Sequence, residues 1–238
     1  MRRLAASVVV LTLLGLPTAV RGQAGDDALL ARLGSPEYAE REAATQALLA
    51  DEDADVERLR TLFTEAASPE QRHRLLDAIR HHTLRQYRLE AFGSRPDLER
   101  PDPAIGFSHD IRPGVAGIPD TPGAPARVGG ATVFVVATLP GFPGYVHLRP
   151  GDVVVEIDDE PLPPDLDNDG FKDRLRKHRP GEAIALTLVR DGERRRVTFK
   201  LASIAALEAM YTQSPLLQEP FRARWEEERE ALLARAPQ

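Results

Sequence analysis

The residue types of a hydrolytic triad occur side by side at Ser108, His109 and Asp110. A triad works only when the base contacts the nucleophile and the acid orients the base. Adjacent residues of a β-strand point to alternate faces of the sheet, so these three side chains cannot form such a relay. The chain also has no Gly-x-Ser-x-Gly nucleophile elbow. We therefore predict no catalytic residues and no enzymatic activity.

An acidic run begins like a calcium-binding loop. Asp165, Asp167 and Asp169 fall at the first, third and fifth positions, and Gly170 falls at the sixth. The twelfth position should supply a bidentate carboxylate, but it is occupied by Arg176, a cation. We interpret the run as an acidic turn that caps the helix following it.

The six histidines are the remaining candidates for metal binding. No two of them have a ligand spacing with a third partner, and the neighbours His81 and His82 should diverge on a helix. We expect surface positions for them, no metal site and no cofactor. The histidines are His73, His81, His82, His109, His147 and His178.

The segment Ile105-Gly106-Phe107 suggests recognition without a charged side chain. An apolar–glycine–apolar loop presents successive backbone amides towards one point, and such an array can bind a carboxylate. Glycine is needed because the backbone must turn tightly and approach the ligand. The residues from Phe107 to Ile111 can continue as an edge strand, beside which a peptide would add as a further strand.

The elements that would position this loop are β-strands and a short helix. Asp191-Gly192 separates two strand-like segments and predicts a two-residue hairpin. A nearly all-apolar strand at 153–157 is expected to be buried on both faces. Between two strands, residues 166–178 predict a short helix with Phe171 and Leu175 on one face, forming the second wall beside the edge strand. The predicted strands are 132–138, 153–157, 183–190 and 195–201.

The segment from Leu148 to Asp158, which reads LRPGDVVVEID, resembles the central turn and strand of bacterial PDZ domains. The later order of helix, strand, Asp-Gly turn and strand agrees with that family over residues 105–202. The resemblance implies a peptide-binding groove and, as partners, protein C-termini or extended peptides. Its site residues would be Ile105, Gly106, Phe107, Ser108, His109, Phe171 and Leu175. Serine proteases of the high-temperature-requirement class carry similar domains, but their catalytic domain is missing here.

Two features depart from the usual PDZ pattern. Phe142 and Tyr145 add bulk near the first helix of the domain. The segment 112–130 is long and rich in proline and glycine. It is either a disordered insert or a cover over the groove.

Residues 26–92 predict helices. Ser35 and Ser68 each begin a Ser-Pro-Glu sequence, in which serine caps the helix, proline fits the first turn and the acid favours the positive helix end. Gln71 completes a capping box with Ser68. The two copies resemble HEAT-type helical-hairpin repeats, and a plain four-helix cap is an equal interpretation.

The N-terminus has the three parts of a secretory signal peptide. Arg2 and Arg3 precede an apolar run that is too short for a bilayer span of about 20 residues, and small residues follow. We expect a signal at 1–24, cleaved after Gly22 or Ala24, and a periplasmic or secreted chain without stable membrane insertion. An uncleaved membrane anchor is the alternative.

Two further segments complete the predicted organisation. Residues 93–104 form a proline-rich linker. Residues 203–238 form a C-terminal helical segment, whose apolar stripe of Phe221, Trp225 and Leu232 should dock on the domain before it. A partner-binding or dimerising helix is the alternative.

The sequence thus predicts an α+β chain: a helical N-terminal domain, a PDZ-like β-sandwich or partly open barrel capped by short helices, and a C-terminal helix. A formal net charge of −6 argues against a nucleic-acid partner. The expected function is that of an exported, non-catalytic adaptor that binds peptides. The alternatives are a structural scaffold with a non-binding PDZ-like module and an accessory subunit that delivers substrates to a separate envelope protease.

Overall fold

A computed structural model describes residues 18–92, 102–112, 130–212 and 215–235. Most of the expected signal peptide, most of the linker and nearly all of the insert at 112–130 lie outside these residues. None of the helices within the described ranges is both long and apolar enough to span a bilayer.

Within residues 18–92, the N-terminal domain consists of four helices that pack as two hairpins. The capping box predicted at Ser68 is present, since the Ser68 hydroxyl accepts from the Gln71 amide and the Gln71 side chain accepts from the Ser68 amide. At Ser35 the hydroxyl accepts from the Glu37 amide, and the helix begins later than predicted. The four helices are α1 (Thr18–Leu33), α2 (Tyr38–Ala50), α3 (Val56–Glu65) and α4 (Pro69–Phe92).

An antiparallel sheet follows. Its strand order is β2-β3-β4-β6-β7, with β5 paired to β4. Because β2 and β7 stand at opposite ends and are not paired with each other, the sheet stays open rather than closing into a barrel. The strands are β2 (Phe107–Arg112), β3 (Thr132–Thr138), β4 (Val153–Ile157), β5 (Glu160–Pro161), β6 (Ala183–Arg190) and β7 (Glu193–Lys200). The predicted α+β fold class is confirmed, with an open antiparallel sheet that does not close into a barrel.

Two local predictions in the sheet had different outcomes. Asp191 and Gly192 have φ values of 54° and 81°, as a two-residue type I′ hairpin requires, and Arg190 pairs with Glu193 across the turn. The expectation for β4 was wrong in part, because Val154 and Ile157 are buried while the other three residues are half-exposed.

The end of the predicted linker is structured. Pro103–Ala104 form β1, which pairs with β8 (Ala202–Ser203), and the Ile204 amide donates to the Asp102 carbonyl at 2.7 Å. This short ladder ties the entry and the exit of the sheet domain together, so the expectation of a linker as far as 104 was wrong at its last residues.

The C-terminal helix α8 (Pro215–Arg235) does not dock where the sequence suggested. Trp225 and Leu232 of α8 are buried in the same core as the N-terminal helices, and α8 packs mainly on α3 and α4. Arg60 of α3 binds Glu228 of α8 through Nη2 at 2.6 Å. The apolar stripe showed that one face would be buried, but it carried no information on which surface would cover it. The elements after the sheet are α7 (Ile204–Leu207), a π-helical turn (Glu208–Thr212) and α8 (Pro215–Arg235).

Candidate functional site

The loop at Ile105 and Gly106 directs its amides towards the open side of the sheet. The Ile105 carbonyl accepts from the Gly144 amide at 2.8 Å, and the Gly106 carbonyl accepts from the Leu139 amide at 3.0 Å. In a trans peptide unit the C=O and the following N–H point in opposite directions. The amides of Gly106 and Phe107 therefore point away from Gly144 and Leu139, as the predicted anion-binding loop requires.

Replacement of Gly106 would force this loop or its neighbours to shift. Its φ is +82°, and a Cβ at this position would lie 2.1 Å from the Cβ of Phe142. Phe142 is itself buried, with 1% of its surface exposed. The close approach lets the buried Phe142 side chain support the loop at Gly106.

The strand after the loop, β2, is an edge strand. It pairs with β3 on one side, and its other side has no strand partner among the described residues. Burial alternates along β2, so Phe107, His109 and Ile111 face inward while Ser108 and Asp110 are exposed. Ser108 and Asp110 therefore lie on the opposite face from His109, and the triad types form no relay.

The second wall is α6 (Asn168–Leu175), the helix predicted beside the edge strand. The Asp167 carboxylate accepts from the Gly170 amide at 2.7 Å, so the acidic run caps this helix as interpreted. Phe171 and Leu175 are buried, with 2% and 7% of their surfaces exposed, and they belong to the core of the sheet domain. Arg176, the cation at the twelfth position of the run, forms an ion pair with Asp173 at 2.9 Å.

The space between β2 and α6 is narrow. The ring centroid of Phe171 lies 6.2 Å from that of Phe107 and 4.9 Å from that of His109. The His109 Nε2 lies 3.2 Å from Oδ1 of Asn168, and burial lowers the pKa of His109. The sequence prediction missed Asn168, although its place on the first turn of a helix facing the edge strand was a usable signal.

The structure thus brings together Gly106, Phe107, His109, Phe171 and Leu175. Ile105 contributes only its backbone, because its side chain is buried in the sheet core. Ser108 lies on the other face of β2. The insert that follows β2 lies outside the described residues, so its two predicted alternatives both stay open.

The loop behind Gly106, which leads into the short helix α5 (Pro143–His147), is fixed to the helical domain. The Gly141 amide donates to Nδ1 of His81 at 3.1 Å, and the carbonyl of Gly141 accepts from Nε of Arg88 at 2.8 Å. His81 and His82 are each 2% exposed, and their ring centroids are 5.1 Å apart. The expectation of diverging surface histidines was wrong for this pair because the α4 face that carries them is covered by the loop and α2.

Phe142 and Tyr145, the two departures from the PDZ pattern, lie at this junction. Tyr145 stacks on His81 with centroids 5.3 Å apart, and its hydroxyl donates to Asp77. Burial, followed by the charge of Asp77, raises the pKa of Tyr145. Both aromatic side chains pack against the helical core. Their bulk therefore serves the contact between the two domains.

The described residues contain no cluster of three or more acidic, histidine or cysteine side chains arranged to hold a metal ion.

The sequence matches no known family model and no curated protein.

Two solved structures with some likeness are those of the HtrA-type protease AlgW with a decapeptide. A serine-to-alanine variant is 16% identical, with a TM-score of 0.33, over 50% of this chain and 33% of that chain. A second AlgW structure is 20% identical, with a TM-score of 0.32, over 43% of this chain and 30% of that chain. This chain therefore spans about a third of the length of these neighbours.

Proposed function

We propose that this chain is an exported, non-catalytic adaptor that binds extended peptides along β2, with a preference for a free C-terminal carboxylate. The observation that carries the proposal is the direction of two amides. Those of Gly106 and Phe107 point to the side of the sheet where β2 lacks a strand partner in the described part of the chain. A peptide strand could pair with that edge, and its carboxylate could accept from the two amides.

The expected affinity follows from the size of this interaction. Each main-chain hydrogen bond contributes about 0.5–1.5 kcal/mol net. Burial of one apolar end residue adds roughly 1.5–3 kcal/mol. The loss of rigid-body freedom and the ordering of the peptide offset much of this gain, so a Kd on the order of micromolar is expected.

Fluorescence anisotropy with labelled peptides tests the proposal. Peptides with a free apolar C-terminus should bind, and amidation of the same C-terminus should weaken binding about tenfold, since it removes the charge that the amides recognise. His109→Ala should weaken binding because His109 faces α6, whereas Asp110→Ala, on the opposite face of β2, is the matched control.

Hydrogen exchange supplies a readout of where the peptide lies. Addition of a strand should slow exchange of the β2 amides, while the amides of β7, the edge strand at the far end of the sheet, serve as the internal control. Equal protection of both edges, or no binding by any peptide of the set, would contradict the proposal.

A structural scaffold is the second candidate. It is favoured by the ring contacts of Phe107 and His109 with Phe171, which narrow the space beside α6. In that case a correctly folded chain should bind none of the peptides, and adding them should not change the hydrogen exchange of the β2 amides.

A further inference from the structure

A large cleft lies between the helical domain and the sheet domain, separate from the space between β2 and α6. Its volume is about 1630 Å³. The second half of α4 lines one side, and the segment after α6 together with the end of β7 lines the other. Typical small-molecule sites enclose about 300–1,000 Å³, so this cleft can hold a ligand together with water.

The lining of the cleft is basic in a chain whose formal net charge is −6. Six lysine or arginine residues line it, against three aspartate or glutamate residues. The cations are Arg85, Arg88, Arg176, Lys177, Arg179 and Lys200, and the acids are Asp51, Glu52 and Asp102. A concave surface with an excess of one sign of charge concentrates the electrostatic field and attracts counter-ions.

Three of the six cations have acidic partners nearby. Arg176 pairs with Asp102 at 3.0 Å, Lys177 with Glu160 at 3.5 Å, and Arg85 loosely with Glu52 at 3.9 Å. Within the described ranges, Arg88, Arg179 and Lys200 form no ion pair with a carboxylate. These three come from both domains, and all of them line the same cleft.

Arg88 is the most constrained of the three. Its Nε donates to the Gly141 carbonyl at 2.8 Å, and its guanidinium carbon lies 5.5 Å from the centre of the Phe142 ring. Burial, with a smaller effect of Arg85, lowers the pKa of Arg88 to about 10. A half-buried cation without a counter-ion is unfavourable, and an anion in the cleft would relieve that cost.

Positive charges at the cleft also act on one buried histidine, His81. Burial lowers the pKa of His81 first, and the charges of His82, Arg85, Arg88 and His147 lower it further. Burial is also the largest cause of the lowered pKa values of His82 and His147, on which Asp51 and Glu52 act in the opposite sense.

We propose that this cleft binds a small polyanion carrying carboxylate or phosphate groups, held by Arg88 on the helical domain and by Arg179 and Lys200 on the sheet domain. The planar guanidinium of Arg88 can bind either oxyanion through two parallel hydrogen bonds. Binding here would bridge the two domains and would not depend on peptide binding at β2.

Isothermal titration of the full chain with citrate and with inorganic pyrophosphate, in a low-salt chloride buffer, tests this site. Saturable binding of one ligand per chain is expected for at least one probe, and the preferred probe identifies carboxylate or phosphate as the ligand chemistry. The double variant Arg179→Gln/Lys200→Gln should weaken binding about tenfold, because it removes charge-assisted contacts with the ligand. Both side chains are exposed.

The matched control is Lys172→Gln/Arg195→Gln, which removes the same number of exposed positive charges away from the cleft lining. Its affinity should equal that of the wild type. The proposal is overturned if neither probe binds saturably, if the Arg179/Lys200 variant binds as tightly as the wild type, or if the control pair weakens binding equally. Arg88→Gln should also weaken binding, and a thermal melt of that variant separates loss of the ligand contact from loss of the fold.

Discussion

The Nδ1 atom of His81 accepts a hydrogen bond from the Gly141 amide across 3.1 Å, and this bond joins α4 to the loop that supports Gly106. The acceptor role requires a neutral ring with the proton on Nε2. Burial lowers the pKa of His81 to about 3, with further contributions from the surrounding basic groups. The junction between the domains is therefore built for an uncharged histidine.

The first prediction concerns acid stability. Between pH 6.5 and pH 3 the unfolded chain binds a proton at His81 that the folded chain does not, so stability falls as the pH decreases through this window. From pH 7 to pH 5 the free energy of unfolding should fall by about 2 kcal/mol on account of this residue. Urea unfolding at a series of pH values measures this loss.

His81→Asn is the informative variant for this prediction. The amide oxygen of asparagine can accept in place of Nδ1, but it does not titrate. The variant should therefore lose about 2 kcal/mol of the pH dependence. An unchanged dependence would show that other groups govern the acid response.

The second prediction separates backbone strain from crowding at Gly106. Gly106 and Gly151 both have positive φ, at +82° and +96°. A Cβ at Gly106 would overlap Phe142, whereas a Cβ at Gly151 would meet no atom within 4 Å. Gly151→Ala should cost about 1–2 kcal/mol from strain alone, and Gly106→Ala should cost a further 1–3 kcal/mol from overpacking.

Thermal or urea unfolding of both alanine variants gives the comparison. Equal costs would mean that Phe142 moves aside without difficulty. Gly106 variants disturb the fold of the loop itself, so they should lose stability as well as peptide binding.

The third prediction concerns the aspartate of the Leu-x-Pro-Gly-Asp turn. Asp152 is 1% exposed and binds Arg190 through two contacts, each of 2.7 Å, while its Oδ2 also accepts from the Arg149 amide at 2.8 Å. Asp152→Ala would leave a mostly buried guanidinium without its anion, and a loss of about 3–5 kcal/mol is expected. Glu193→Ala, which removes an exposed carboxylate that pairs with Arg195, should change stability by less than about 1 kcal/mol.

Guanidinium chloride is unsuitable for that comparison because it screens ion pairs, so urea unfolding followed by circular dichroism is the measurement. Similar losses of unfolding free energy in the two variants would show that the buried ion pair of Asp152 stabilises the fold no more than an exposed pair does.

The parts of this fold that were predictable from the sequence are those determined by contacts between residues close together along the chain. The hairpin at Asp191-Gly192 and the capping box at Ser68 were predictable because the deciding contacts lie within three residues along the chain. The stacking of Tyr145 on His81 was not predictable, because the sequence marked Tyr145 as unusual without showing which surface would cover it. The groove was half predictable: β2 and α6 were expected, whereas the contact of Asn168 with His109 depends on their packing in space.

The last prediction concerns the docking of α8 on the helical domain. Glu228 accepts from Nε and Nη2 of Arg60 at 2.9 and 2.6 Å and from the Thr83 hydroxyl at 3.3 Å. Removing this carboxylate leaves a partly buried arginine without its main partner. We expect Glu228→Ala to lower the free energy of unfolding by about 1–2 kcal/mol, less than for a fully buried pair because Arg60 keeps 28% of its surface exposed.

Trp225 provides the readout because it is the only tryptophan in the chain and lies in the same buried face of α8. In Glu228→Ala its fluorescence should shift to longer wavelengths at a lower urea concentration than in the wild type. Glu226→Ala is the matched control, since Glu226 is exposed and its ion pair is with Arg229 one turn away in α8. Identical urea midpoints for the two variants would mean that α8 is held by its apolar stripe alone, and that the Arg60–Glu228 pair adds nothing to the docking.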